Sequence, residues 1–98
     1  VKTVTVYGGS SYKRQIDFIN RGASIVVATP GRLLDILKKN MLDDFAPSMV
    51  VLDEADEMLD MGFLDDINEI FSYLPTSRQT LLFSATMPKP IKLLAQRI

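Results

Sequence analysis

At 98 residues the chain can form at most one small domain, and its 47% hydrophobic content supplies a core and excludes a disordered segment. A formal charge of −1 excludes a generally basic, nucleic-acid-coating surface, so any nucleic acid would be held by a few placed groups. With no cysteine and no histidine there is no disulfide frame, thiolate metal site or imidazole catalyst, and no apolar run nears the roughly 20 residues that cross a bilayer.

The hydrophobic period switches repeatedly along the chain. From Lys2 to Tyr7, in a strand-like segment that already includes Val1, apolar and polar residues alternate until Gly8-Gly9. Tyr12, Ile16 and Ile19 then recur at helical spacing and end near Asn20-Arg21-Gly22, a helix stop. Ile25-Val26-Val27-Ala28 reads as a buried strand. Thr29-Pro30 opens a helix carrying Leu33, Leu34 and Leu37, with Lys38 and Lys39 suited to its C-terminal end. Asn40 to Ser48, including Pro47, is a surface connection. Met49-Val50-Val51-Leu52 reads as a strand buried on both faces, followed by a helical turn to Leu59. A helix from Phe63 places Ile67, Ile70, Phe71 and Leu74 on one face and stops at Pro75. Gln79 to Phe83 is the last strand, and Ile91, Leu94, Ala95 and Ile98 mark a closing helix.

The pattern βαβαβαβα predicts an α/β fold: a parallel sheet with right-handed crossovers and helices on both faces. Parallel strands share a carboxyl edge, where ligands bind in open α/β sheets. The segments that follow the strands should therefore line one rim. They are Gly8-Gly9, Thr29-Pro30-Gly31-Arg32, Asp53-Glu54-Ala55-Asp56 and Ser84-Ala85-Thr86.

Each of these has a chemical reading and a plain one. Asp53 and Glu54, at a strand end, are placed to hold Mg²⁺ through its waters and to take a proton from an attacking water. As the start of a helix they would instead complement its dipole, worth roughly 0.3–1 kcal/mol. Thr86 could simply cap the helix beginning around Pro88, worth about 1 kcal/mol. Thr29-Pro30 makes a good helix start, and the same helix N-terminus with Arg32 suits a phosphate. Gly8-Gly9 alone is a tight turn.

Asp53-Glu54-Ala55-Asp56, set behind Met49–Leu52, resembles the Walker B motif of the DEAD-box ATP-dependent RNA helicases and reproduces its four-letter signature. The segments Gly8-Gly9, Thr29–Arg32, Glu57–Phe63 and Ser84–Thr86 resemble the same family, so the likeness runs through the whole chain. The resemblance implies the later half of the family's first RecA-like domain, a partial P-loop NTPase fold. It implies that Asp53 holds Mg²⁺ through water, that Glu54 polarises the hydrolytic water, and that Asp56 links this site to neighbouring motifs. Ser84 and Thr86 would couple ATP hydrolysis to strand separation by contacting the DEAD segment. Gly8, Gly9, Thr29, Pro30, Gly31 and Arg32 would hold RNA, single-stranded or duplex, by its backbone.

No Gly-x-x-x-x-Gly-Lys-Ser/Thr loop occurs in the chain, and the first residue is Val1 rather than Met. The expectation is a cytoplasmic helicase fragment that needs a phosphate loop and a second RecA-like domain from elsewhere, and that alone neither hydrolyses ATP nor unwinds RNA. The family fold places a strand encoded upstream between Ile25–Ala28 and Met49–Leu52. Without it, unpaired edges should make the fragment self-associate or repack its strands. The competing reading is a non-catalytic RNA-binding or scaffold module that keeps the RecA-like fold. Asp43, Asp44, Asp65, Asp66, Lys13 and Arg14 read as solvated surface, and the five Met residues as gap-filling core.

Overall fold

The computed structural model describes residues 2–9 and 11–98, so the strand-like reading of Val1 lies outside the described residues. The elements in chain order are β1 (Thr3–Val6), α1 (Tyr12–Asn20), β2 (Ile25–Ala28), α2 (Pro30–Lys38), β3 (Met49–Leu52), α3 (Ala55–Asp60), α4 (Leu64–Tyr73), β4 (Gln79–Leu82) and α5 (Lys89–Arg97). The chain is α/β with parallel strands and helices, as the periodicity predicts. It divides into two compact units, the first ending at Phe45 and the second running from Ala46 to Ile98.

In the first unit β1 and β2 pair in parallel, with Val4 opposite Val26 and Val6 opposite Ala28. The alternation in β1 turns Val4 and Val6 into a core with Ile16 and Ile19 of α1 and Ile36 of α2. Helix α1 begins where the Ser11 hydroxyl accepts the Arg14 N–H and ends at Arg21, with Gly22 beyond it at a φ of 95°. Helix α2 has Pro30 in its first turn, where a missing N–H costs nothing. Ile36 is fully buried, and truncating it to Ala should cost about 2–5 kcal/mol.

In the second unit β3 and β4 pair in parallel, with Leu52 opposite Leu82. Leu52, Ala55, Ile67, Ile91 and Leu94 form its core, and Met58, Leu59, Phe63 and Phe71 pack against it. The acidic residues Asp65 and Asp66 stand in the first turn of α4, where they complement its dipole.

The described residues form two two-stranded sheets, β1-β2 and β3-β4, in keeping with the strand expected to be missing between Ile25–Ala28 and Met49–Leu52. The structure departs from the sequence reading in three places. Strands β2 and β3 are not buried on both faces: Ile25 and Val27 are 49% and 54% exposed, and Met49 and Val51 are 53% and 54% exposed. In each unit the helices cover the face to which Val4 and Val6, or Leu52, point, and these residues alternate to the other. Met41, Met49, Met61 and Met87 are exposed, and only Met58 packs against a core. Thr86 does not cap α5, whose N-cap position is Pro88.

Candidate functional site

Strand β3 runs directly into the acidic segment. The Leu52 carbonyl accepts from Phe83 N–H at 2.8 Å, and Ala55 N–H donates to the Phe83 carbonyl at 3.1 Å. These bonds stitch the first residues of α3 onto the end of β4. Ala55 is buried, so a larger side chain there would push the segment off the core. Between the strand and the helix, Asp53 Oδ1 accepts from the Glu54 N–H at 2.9 Å. Glu54 itself takes a left-handed backbone, φ 54° and ψ 49°, which a non-glycine residue adopts at a cost of roughly 1–2 kcal/mol. Both carboxylates stand exposed at the strand end.

The next residue pair is tied to the loop after β4. Asp56 N–H donates to Ser84 Oγ at 3.1 Å, and Ser84 Oγ donates to the Thr86 carbonyl at 2.6 Å. Thr86 returns two bonds to Asp56 Oδ2, from its N–H at 3.1 Å and from its hydroxyl at 2.9 Å. The Asp56 Oδ1 accepts from Glu57 N–H at 3.1 Å. Chiefly the Thr86 hydroxyl, with Ser84 and the Thr86 and Glu57 N–H groups, holds the Asp56 carboxyl below its ordinary value of 3.8, while desolvation acts the other way. The hydroxyl that could have capped α5 is spent on Asp56 instead.

In the first unit the other two segments also meet at neighbouring strand ends. Thr29 N–H donates to the Val6 carbonyl at 2.9 Å, and its hydroxyl reaches the same oxygen at 3.5 Å. Gly9 has a φ of 82°, a conformation that selects glycine. A Cβ added at Gly8, Gly9 or Gly31 would meet nothing within 4 Å, so no neighbour in the described chain fills the space beside them. Arg32 is held from two sides. Its guanidinium carbon lies 3.9 Å from the centre of the Tyr12 ring, and Nη1 donates to Gln15 Oε1 at 3.1 Å. The Tyr12 hydroxyl donates to the Asp35 carboxylate, and Lys39 Nζ lies 3.9 Å from the same ring centre. Gln15 is 3% exposed, and its Nε2 donates to the Tyr7 carbonyl at 3.2 Å.

The sequence-predicted residues thus come together as two groups: Asp56 with Ser84 and Thr86, and Gly8-Gly9 beside Thr29 to Arg32. Gln15, Tyr12 and Ala55 were not singled out from sequence as site residues. Gln15 had a signal, being the polar member of the stripe Tyr12, Ile16 and Ile19, three residues after Tyr12 and four before Ile19.

The donor chemistry suits Mg²⁺. Among the described residues no cluster of three or more metal-ligating side chains occurs. Mg²⁺ does not need one, because it keeps several waters and is commonly bound by one or two carboxylates plus phosphate oxygens. Asp53, an exposed hard-oxygen donor at the strand end, fits that role. Among the described residues no helix is long and apolar enough to cross a membrane.

Residues 1–94 match the family model described as DEAD/DEAH box helicase. The Helicobacter pylori (strain ATCC 700392 / 26695) protein named DEAD-box ATP-dependent RNA helicase RhpA is 64% identical over 97 residues, which cover 99% of this chain and 20% of that protein. The Haemophilus influenzae protein named ATP-dependent RNA helicase DeaD is 48% identical over 96 residues, 98% of this chain and 16% of its own length. The crystal structure of a DEAD box protein from the hyperthermophile Methanococcus jannaschii superimposes with a TM-score of 0.92 at 42% identity, covering 99% of this chain and 26% of that one. The chain spans about a fifth of the length of the curated relatives it matches.

Proposed function

The chain belongs to the DEAD/DEAH box helicase family, and from that premise we propose that it is the later half of the first RecA-like domain of an ATP-dependent RNA helicase, one that couples Mg²⁺-ATP hydrolysis to RNA binding and local duplex opening. The observation that carries this reading is the hydrogen-bonded triangle of Asp56, Ser84 and Thr86 beside the strand-end carboxylates Asp53 and Glu54.

When bound, Mg²⁺-ATP supplies the phosphoryl group passed to water and, through the metal, neutralises the charge that develops on it. Asp53 would hold the metal through its water shell. Glu54 orients the attacking water and accepts its proton, and its left-handed backbone is the kind of local strain that persists where function requires a fixed position. Asp56 transmits movement of this segment to Ser84 and Thr86, since a shift of either loop stretches charge-assisted bonds to one carboxylate. Gly8, Gly9, Thr29, Pro30, Gly31 and Arg32 hold RNA by its backbone, supported by the open space beside the glycines and the positive dipole end at the start of α2.

The 98 residues hold no phosphate loop, so by themselves they are expected neither to turn over ATP nor to unwind RNA. The complementary parts, a phosphate loop and a second RecA-like domain, would come from the same longer protein. The cysteine-free composition supports a cytoplasmic setting. Isolated, the 98 residues are expected to self-associate through unpaired strands.

The test is ATP turnover by the full-length protein, with and without single-stranded RNA, beside Glu54→Gln. RNA-stimulated turnover that falls roughly 10²–10⁴-fold in the variant supports the reading. RNA binding without any turnover would make the chain part of a non-catalytic RNA-binding or scaffold module.

A further inference from the structure

We propose that Gln15 is a positioning residue that joins the two RNA-contacting segments of the first unit, presenting Arg32 to a phosphate and fixing the backbone that leads into Gly8-Gly9. The inference rests on the RNA-binding reading of Arg32 given above. It begins from a cost. A carboxamide buried to 3% exposure is unfavourable unless its polar atoms are bonded, and Leu or Met would fill the same place in the stripe more cheaply.

Both ends of the Gln15 amide are used, one toward each segment. Nε2 donates to the carbonyl of Tyr7, the residue before the glycine pair, and Oε1 accepts from Arg32 Nη1. Only one orientation of the amide serves both partners. A carbonyl can only accept and a guanidinium can only donate, so a flipped amide would set oxygen against oxygen and N–H against N–H. The same helix supplies a second wall, because Tyr12 stands one turn before Gln15 and its ring lies 3.9 Å from the Arg32 guanidinium carbon.

Neither bond belongs to a helix or a strand ladder. What they achieve is the ordering of a long, rotamer-rich arginine before any ligand arrives, which removes that entropy loss from the binding step. They also make the two segments mechanically one: displacing Arg32 pulls on the Tyr7 carbonyl through a single side chain.

The experiment measures binding of the full-length protein to a fluorescent single-stranded oligouridylate across a range of KCl concentrations, for the wild type, Arg32→Ala, Gln15→Met and the double variant. If Arg32 meets a phosphate, Arg32→Ala weakens binding and lowers the slope of log affinity against log salt by about 0.7. Gln15→Met exchanges one uncharged side chain for another, yet it should lower the slope in the same direction and weaken binding roughly 3- to 10-fold. The double variant should lose clearly less than the sum of the two single losses, because the part of the Gln15 effect that acts through Arg32 is already gone.

A Gln15→Met that weakens binding equally at every salt concentration, or whose loss adds in full to that of Arg32→Ala, overturns the inference and leaves the RNA reading standing. An Arg32→Ala with unchanged affinity and slope overturns the RNA reading itself. Thermal melting reports whether each variant folds. Gln15→Asn, one methylene too short to reach both partners, repeats the test by the same criteria should Gln15→Met not fold.

Discussion

Asp56 and Thr86, 30 residues apart in sequence, meet at a single carboxylate oxygen: Asp56 Oδ2 accepts from the Thr86 N–H at 3.1 Å and from its hydroxyl at 2.9 Å. The bond from the hydroxyl is the one a substitution can remove without touching the backbone. Thr86→Val keeps the shape of the side chain and the N–H bond. It should reduce strand displacement about tenfold or more while RNA affinity stays within about threefold, because the lost bond connects two loops and Thr86 is not among the residues proposed to hold RNA. Unwinding assays run beside RNA-binding titrations check this. A parallel fall in both would assign Thr86 to binding instead of coupling.

The same contact sets a pH dependence. The Asp56 carboxyl is held below its ordinary value of 3.8, mainly by the Thr86 hydroxyl. A carboxylate with a depressed folded pKa contributes stability that is fully present above its unfolded pKa and is lost as pH falls through the folded value. Any difference in stability between wild type and Thr86→Val should therefore be flat from neutral pH down to mildly acidic conditions and shrink only below about 3.8. Carboxyl-carbon NMR titration should find Asp56 moved upward in the variant. An unmoved Asp56 would mean that the hydroxyl contributes nothing to its ionisation.

Much of this was legible in the sequence, for physical reasons that differ by residue. The period-two alternation of Val4 and Val6 and the helical spacing of Ile16 and Ile19 identify their elements because one face of each is buried. Parallel strands bring their following segments to one edge, which places Asp56 and Thr86 on the same rim, while their contact was implied by the family resemblance. The continuous apolar runs Ile25–Ala28 and Met49–Leu52 misled, since composition cannot tell a strand covered on both faces from one covered on one. Gln15 stood out only as the polar member of the stripe Tyr12, Ile16 and Ile19, and what it does was hidden for a related reason. Its role lies in two partners, Tyr7 and Arg32, whose approach depends on how α1 lies across the strand ends. The left-handed backbone of Glu54 also has no marker in the sequence, where glutamate signals a helix.

That backbone separates what the fold favours from what the proposed hydrolysis requires. Glu54→Gly would relieve the left-handed strain, worth roughly 1–2 kcal/mol, against a flexibility penalty of about 0.5–1 kcal/mol. The net expectation is a gain of about 0.5–1 kcal/mol in stability by urea denaturation, together with loss of ATP turnover. Glu54→Gln retains the strain and should leave stability within about 0.5 kcal/mol while turnover still collapses. If Glu54→Gly is instead clearly destabilising, the carboxylate or its stem stabilises the junction beyond what the backbone geometry accounts for.

The uncovered strands yield the last expectation. Each strand has one hydrogen-bonded neighbour among the described residues, which leaves the other side of each backbone without a ladder. On the exposed face of the first sheet Ile25 and Val27 stand opposite Thr3 and Thr5, and on that of the second Met49 and Val51 stand opposite Gln79 and Leu81. Apolar side chains beside unpaired N–H and C=O groups are the combination that recruits another strand. The isolated 98 residues should therefore sediment as dimers or larger species at micromolar concentration. Val27→Lys with Val51→Lys places a charge on each exposed face without touching either core, and it should shift the population to monomer. A wild-type chain that stays monomeric by light scattering over that range would show that these faces do not attract one another. Association unchanged in the double variant would place the contact elsewhere on the surface.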